Sequence, residues 1–578
     1  MHERKETVTD AHGLGHGRGV TRPARASALL ALLPLLPALA CGLPAGKLGD
    51  IGDTGDTGDT DPSDTSDTNA TADSGESGST ELPPESDRVG VLRLDDGALD
   101  VLFVIDNSGS MGTEQARATA AIAAFAEHAA GTLGTDLRVG FTTTDNGNPW
   151  CGGTGPEAGN LRLSSCLSRQ QEFVFNGAST IDVTQEACLD FCVLDDIPIL
   201  PTTTHVDQTA TERRWIEAGP GGTNLGAVSV SQAVSCAAPQ GINGCGFEQP
   251  LESMHKSIER SFFAGDEMEG FLRPWARLAV VFVTDEVDCS YDPSWQDIFL
   301  PEGNRAFWGD PEAASPTSAV CWNASVECQG SDPDIGPCTA QNFDVDGNVT
   351  DASNAVMYSL TRYINELQMV ESTKLAYRDD GSVSVALIAG VPVGYAEGTA
   401  ELVYTRGAAG DGQFVEDFGV DPGCESPAGR AVPPVRIKAL AELFPVGAQP
   451  AIHSICGDDY SPALGAISSA LASPQHDTTA CIPACVADTD PALVGTQPQC
   501  EIVMGVGTEM GRDFTLVPAC DGGAAGMPCY EMRTDGEAMQ CAAQGSNAEL
   551  ELVLPAGFEW QGQLTIEAAC ELAPAGSC

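Results

Sequence analysis

The string Asp106-x-Ser108-x-Ser110 is where this sequence concentrates side chains that could do chemistry. Three oxygen donors at alternate positions, with no basic residue among them, suit a hard divalent cation such as Mg²⁺ or Ca²⁺, and not a phosphate. The flanking stretches say how such a loop would be held. Leu99 to Ile105 is an apolar run of strand length, rich in β-branched residues, as expected of a strand buried on both faces. From about Thr113 to Ala130 an alanine-rich stretch repeats Ala118, Ile122, Phe125, Ala126 and Ala129 at helical spacing. A strand that feeds a helix through a short polar loop places that loop at the carboxyl edge of a sheet, where α/β folds bind ligands.

In that context the loop resembles the first motif of a von Willebrand factor type A (VWA) domain. The metal-ion-dependent adhesion site (MIDAS) of that family also uses a Thr in a Gly-rich loop and an Asp at the end of a later buried strand. Both occur in order: Gly221-Gly222-Thr223-Asn224-Leu225-Gly226, then the apolar run from Arg277 that closes on Thr284-Asp285-Glu286. The resemblance implies that Ser108 and Ser110 bind the ion through their hydroxyls. Asp106 and Asp285 would stand close by, through water, and Thr223 would bind directly in one state of its loop. Mg²⁺ (or Ca²⁺ or Mn²⁺) held by few charged ligands keeps a corner open, which in this family a carboxylate of a partner protein fills. The implied fold is α/β, a doubly wound Rossmann-like sheet flanked by helices. Taken singly, each motif also reads as an ordinary cap or turn; the set of three is what carries the resemblance.

The spacings from Asp106 to Thr223 and from Thr223 to Asp285 exceed what a compact domain of this type needs, so long insertions are expected. Leu137 to Thr143 reads as the second strand, Ser382 to Ala389 as the fifth and Ala451 to Ile455 as the sixth. Helices are expected over 248–262, 352–371, 435–444 and 462–471. Insertions then follow the second strand, run from Cys289 to Asp351, and run from Gly390 to Pro433. Each leaves a carboxyl strand end, which predicts a deep rim around the metal. Asn342 to Ser353 imitates part of a Ca²⁺ loop but lacks its terminal Glu, and Asp346-Gly347 reads more simply as a hairpin turn.

The chain has 578 residues and a formal net charge of −54, which argues against nucleic acid or an anionic membrane surface as partner. Arg-bearing residues up to Arg25 precede the apolar run Ala28 to Ala40, too short to span a bilayer but right for a signal peptide. It ends at Ala38-Leu39-Ala40-Cys41-Gly42, a lipobox-like site with Cys41 as the lipidated residue; ordinary signal-peptidase cleavage is the alternative. Gly49 to Asp87 has no Lys, Arg or aromatic residue and reads as a disordered acidic tether. Cys41 aside, the cysteines form two blocks, Cys151–Cys338 and Cys424–Cys578, each even in number, as expected of a disulfide framework in an exported chain. Cys236–Cys245 and Cys424–Cys456 are the expected local pairs.

The expected organisation is a signal peptide over 1–40, a lipidated tether over 41–90, a VWA domain with insertions over 91–473, and a small disulfide-rich β module over 474–578. No His-Glu-x-x-His, Gly-x-Ser-x-Gly, phosphate loop or dinucleotide fingerprint is found. The sequence therefore reads as a non-enzymatic, envelope-anchored adhesion or interaction protein. Its expected place is the outer membrane, at the cell surface or on the periplasmic face, or else secreted. It would bind a carboxylate-presenting protein through a divalent ion, and the membrane only through its lipid. Two other readings stay open: a hydrolase or metalloenzyme built from the insertions, and an envelope assembly or structural factor.

Overall fold

All eight residues of Ala98–Ile105 are buried, and a computed structural model of the chain is organised around that strand. It describes residues 82–578 apart from 178, 381, 409, 428, 472–476, 494–495, 521–525, 535–540, 542–544 and 575–578. The expected signal peptide, Cys41 and the tether as far as 81 lie outside the described residues, as does His476. At its end the tether reading is corrected: Glu85–Asp87 is a turn of 3₁₀ helix and Val89–Asp95 is a strand.

In chain order the elements that matter are β1 (Val89–Asp95), β2 (Ala98–Ile105), α1 (Gly112–Glu127), β3 (Asp136–Thr143), β4 (Ile216–Gly219), β5 (Gly222–Thr223), α2 (Val230–Ala237), α3 (Pro250–Phe262) and β6 (Arg277–Val283). There follow α4 (Leu360–Lys374), β7 (Val383–Ala389), α5 (Val435–Leu443), β8 (Ala451–Ser454), α6 (Ser461–Leu471), β9 (Cys500–Thr508), β10 (Gly511–Val517) and β11 (Gln563–Cys570). Seven strands make one mixed sheet in the order β8-β7-β6-β2-β3-β4-β5. The first five are mutually parallel, and the edge hairpin β4–β5 is antiparallel.

The two faces of β2 explain its uninterrupted apolar run. Val101, Phe103 and Ile105 meet apolar residues of α1, α2 and α6 on one side. Leu102 and Val104 meet those of α3, α4 and α5 on the other. Each such side chain fully buried contributes about 1.5–3 kcal/mol, so a strand covered on both faces cannot alternate with polar residues. The expected strands and helices lie within a few residues of those observed. The exception is the helix expected from 352, which begins only at Leu360, because Val356 and Met357 are drawn into the core of an insertion.

The insertions after β3, β6 and β7 all leave carboxyl strand ends, as expected, and are stapled. Cys166–Cys188, Cys192–Cys236 and Cys151–Cys245 brace the first. Cys289–Cys321 and Cys328–Cys338 brace the second, and Cys424–Cys456 ties the third to the end of β8. The expected bridge Cys236–Cys245 is thus corrected, since each of these residues has a more distant partner, whereas Cys424–Cys456 is as expected. Asp344 to Asn348 is a tight turn with Gly347 at φ 80°, in keeping with the hairpin reading.

The C-terminal strands form a four-stranded sheet of order β1-β11-β9-β10, cross-linked by Cys500–Cys570 between β9 and β11. Strand β1 therefore belongs to this sheet, although the sequence divides it between the tether and the α/β region at residue 91. It pairs with β11 from Val89↔Ala568 to Asp95↔Gln563. Only Asp96 and Gly97 separate it from β2, and Gly97 takes φ 71° with its N–H donating to Asp95 Oδ1 at 2.9 Å. The nine disulfides among the described residues fit an extracellular or surface protein. No described helix is long and apolar enough to cross a membrane.

Candidate functional site

Strand β2 delivers Asp106 to the carboxyl edge of the sheet, where its N–H donates to Val283 O at 2.9 Å beside the end of β6. The Asp106 carboxylate is fully buried. Its Oδ1 accepts from Ser108 N at 2.8 Å and its Oδ2 from Thr284 Oγ1 at 2.6 Å. These bonds fold the loop back so that Ser108 Oγ and Ser110 Oγ lie 3.1 Å apart. Ser108 is buried and Ser110 is exposed, which leaves the hydroxyl pair reachable from solvent. Helix α1 then starts over the loop, and Gln115 Nε2 donates to Asp106 O at 2.8 Å. From the neighbouring strand end, Asp285 comes near enough to Asp106 and to the Ser110 hydroxyl for both to bear on its titration. Asp106, Ser108, Ser110 and Asp285 therefore converge.

Thr223 does not join them. Strand β4 runs down against β3, pairing Ile216 with Val139 and Ala218 with Leu137, and Leu137 in turn lies beside Leu99. Thr223 pairs with Ala218 and so sits at the amino end of the sheet, about seven residues or roughly 23 Å of strand from Asp106. The Gly-rich segment is a turn that reverses the edge hairpin, with Gly222 at φ 119° and the Thr223 hydroxyl accepting from Leu225 N at 3.1 Å. Thr223 lines a cavity of about 330 Å³ with Asp136, Arg138 and Arg273. The expected role of Thr223 at the metal is corrected on these grounds.

The chain returns to the carboxyl edge only along α2. At the start of that helix Ser231 N donates to Glu127 Oε2 at 3.1 Å. Past its end, Gln240 N donates to Gln115 Oε1 at 2.9 Å. The segment laid over the Asp106 loop is thus Gln240 to Glu248. Gly244 N donates to Asn107 O at 2.8 Å, and a Cβ on Gly244 would run into the Asn107 side-chain amide, which would have to move. Cys245 N donates to Asp145 Oδ2 at 3.3 Å, and Thr144 Oγ1 donates to Glu248 Oε2. Glu248 is read in the sequence only as the start of the helix expected over 248–262, which opens at Pro250. The available signal was a second Gly-rich stretch, Gly244-Cys245-Gly246, just ahead of a helix opened by Pro250.

Burial and mutual repulsion dominate the electrostatics. Burial pushes Asp285 and Glu248 well above the usual carboxylate range, and the nearby Asp106 pushes both further. Burial, then Asp106, raises Glu286 to about 8. Asp106 and Glu114 are raised as well, chiefly by burial. Four buried carboxylate oxygens, Asp285 Oδ1, Glu286 Oε2, Glu248 Oε1 and Glu114 Oε2, have no hydrogen-bond partner. Arg117, beside Glu114, is engaged with Gly457 O and Asp458. Orphaned acceptors in a buried acidic cluster fit a bound cation, which would replace the lost solvation. No three His, Cys, Asp or Glu converge as a ready metal-binding group among the described residues, so carboxylates alone do not make the site. The donor set mixes carboxylates with the Ser108 and Ser110 hydroxyls, a set suited to a hard ion that keeps water.

The described histidines stand on different elements. His255 of α3 bonds Glu366 of α4 at 2.6 Å, His205 lies edge-on to Trp275, and His453 is in β8.

No family description and no curated protein matches the chain. Among solved structures, two crystal structures of the pilus adhesin SpaC from Lactobacillus rhamnosus GG, one in an open conformation, align over 83% and 82% of this chain and 40% and 39% of the adhesin. Sequence identity is 12% and 10%, and the TM-scores are 0.26 and 0.25. The chain thus spans less than half the length of those adhesins, and a likeness of that size carries no argument about function.

Proposed function

We propose that this chain is an exported interaction protein, adhesive and not enzymatic, built on a doubly wound VWA-like sheet that holds a divalent cation at its carboxyl edge. The observation that carries this reading is the convergence of Asp106, Ser108, Ser110 and Asp285 beneath an exposed hydroxyl, among buried carboxylate oxygens that lack partners. Bound there, Mg²⁺ or Ca²⁺ supplies a Lewis-acidic corner for a carboxylate of a partner protein. Ser108 and Ser110 hold the ion, Asp106 orients the loop through Ser108 N and Thr284, and the disulfide-braced insertions form the rim that selects the partner. An N-terminal lipid on Cys41 and the acidic stretch after it would tether this body to the envelope.

The test is capture of partners from envelope extracts by the full-length chain, with and without EDTA, and by Asp106→Ala. Capture that needs the cation and is lost in the variant supports the reading. Equal capture in all arms overturns it.

A further inference from the structure

The acidic carboxyl edge is fed by three strand ends and by one loop that arrives from α2. That loop is not held loosely. Cys151–Cys245 ties it to the segment that follows β3, across 94 residues of sequence. Gly244 N and Cys245 N anchor it to Asn107 and Asp145, Gln249 N donates to Thr144 O at 2.9 Å, and Cys289 N donates to Glu248 O at 2.7 Å. These contacts fix the backbone on both sides of Glu248. The side chain is fully buried. One oxygen accepts from Thr144, whose own N–H donates to Ile105 O next to Asp106, and the other, Oε1, is without a partner. A fully buried carboxylate costs several kcal/mol unless it is paired, and Thr144 satisfies only one of its two oxygens. Thr223, by contrast, is exposed, and its hydroxyl is used within its own turn.

We propose that Glu248, and not Thr223, supplies the third limb of the cation site, and that the Cys151–Cys245 bridge holds it there. The inference rests on the cation reading of the Asp106 loop and adds a ligand to it. Replacing a neutral hydroxyl with a carboxylate raises the negative charge facing the ion, and charge count is one of the two quantities that set affinity in oxygen-ligand sites. The other, rigidity, is what the bridge contributes.

The experiment is a calorimetric titration of the metal-free full-length chain with Mg²⁺ and with Ca²⁺, using Asp106→Ala as the baseline for weak binding elsewhere on this acidic chain. Glu248→Gln keeps an acceptor for Thr144, and its fold is checked by near-UV circular dichroism. It is expected to weaken binding at the site at least tenfold. Thr223→Ala is expected to bind as the parent does, and Cys151→Ala/Cys245→Ala to bind more weakly than the parent. Parent-like binding by folded Glu248→Gln, or loss of binding in Thr223→Ala, overturns the assignment of Glu248 while leaving the cation site standing. If Asp106→Ala titrates like the parent, the cation reading itself falls. Should Glu248→Gln not fold, Glu248→Asp, which shortens the side chain by one methylene, is titrated in its place: weakened binding supports the assignment and parent-like binding overturns it.

Discussion

The two ends of the central sheet are both rich in buried acids, and they satisfy them by opposite means. At the amino end Asp100 is fully buried and accepts from Arg273 Nε at 2.8 Å and from Arg273 N at 2.6 Å. The same guanidinium reaches Asp136 at 2.6 Å. Close by, Arg378 pairs with Asp95 and Asp96, Arg277 with Asp95 and Asp380, and Arg512 with Asp379. Lys374 Nζ donates to Arg273 O and Ala276 O, each at 2.7 Å. Every positive charge in that network is covalently part of the chain, although Arg378 Nε, Arg512 Nε and Asp380 Oδ1 are left without a hydrogen bond there. The network also welds the C-terminal sheet to the larger one through Asp95 and Asp96 at the β1–β2 corner. At the carboxyl edge Asp285, Glu248 and Glu286 each bury an oxygen that has no partner, and the charge of Asp106 bears on all three. The lesson is one of charge: buried acids at the amino end face cations of the chain itself, whereas those at the carboxyl edge face one another, and on the proposed cation reading a charge from outside the chain would answer them.

That contrast can be broken at either end. The largest effect is expected from Arg273→Ala, which strands the buried Asp100 carboxylate. Removing one partner of a buried pair costs about 3–5 kcal/mol, read as a fall in the urea unfolding free energy. A loss below about 1 kcal/mol would mean that the amino-end pairs are no better than surface ion pairs. Next is the effect of a divalent cation on the parent. At one hundred times its dissociation constant a ligand of the folded state stabilises by about 2.7 kcal/mol. Thermal unfolding should therefore move upward with Mg²⁺ or Ca²⁺ and return with EDTA, and Asp106→Ala should show no such shift. An equal shift in that variant would place the stabilising ion elsewhere.

A smaller effect sharpens the comparison from the amino end. Burial holds the Lys374 ammonium down to about 8, against 10.5 when exposed. Between those values the unfolded chain binds more protons than the folded one, so this residue makes stability rise with pH from about 8 to 10.5 and adds no slope below. Urea midpoints measured across that range should rise in the parent and flatten in Lys374→Met. A parallel rise in both would assign the slope to other groups.

Much of this was legible in the chain. Leu99 to Ile105 and Leu278 to Val283 could be read as buried strands because residues covered on both faces must be apolar without interruption. Asp106 and Asp285 could then be placed at one edge, since each follows such a run directly. Thr223 was misread because a Gly-Gly-Thr turn serves a loop at either end of a sheet equally well. Strand β1 was divided wrongly because its partner, β11, lies nearly the whole described chain away and leaves no local mark on Val89 to Asp95.

By itself, then, the sequence determined the strands, the helices and the oxygen-rich turn after β2, because local apolar periodicity is written residue by residue. Which Gly-rich loop reaches that turn was decided only in three dimensions. The antiparallel course of β4 carries Thr223 downward, α2 carries the chain back up, and Cys151–Cys245 ties the loop ahead of Glu248 to the segment after β3. Direction of travel along a sheet and closure across 94 residues are properties of the whole chain, and no short window contains them.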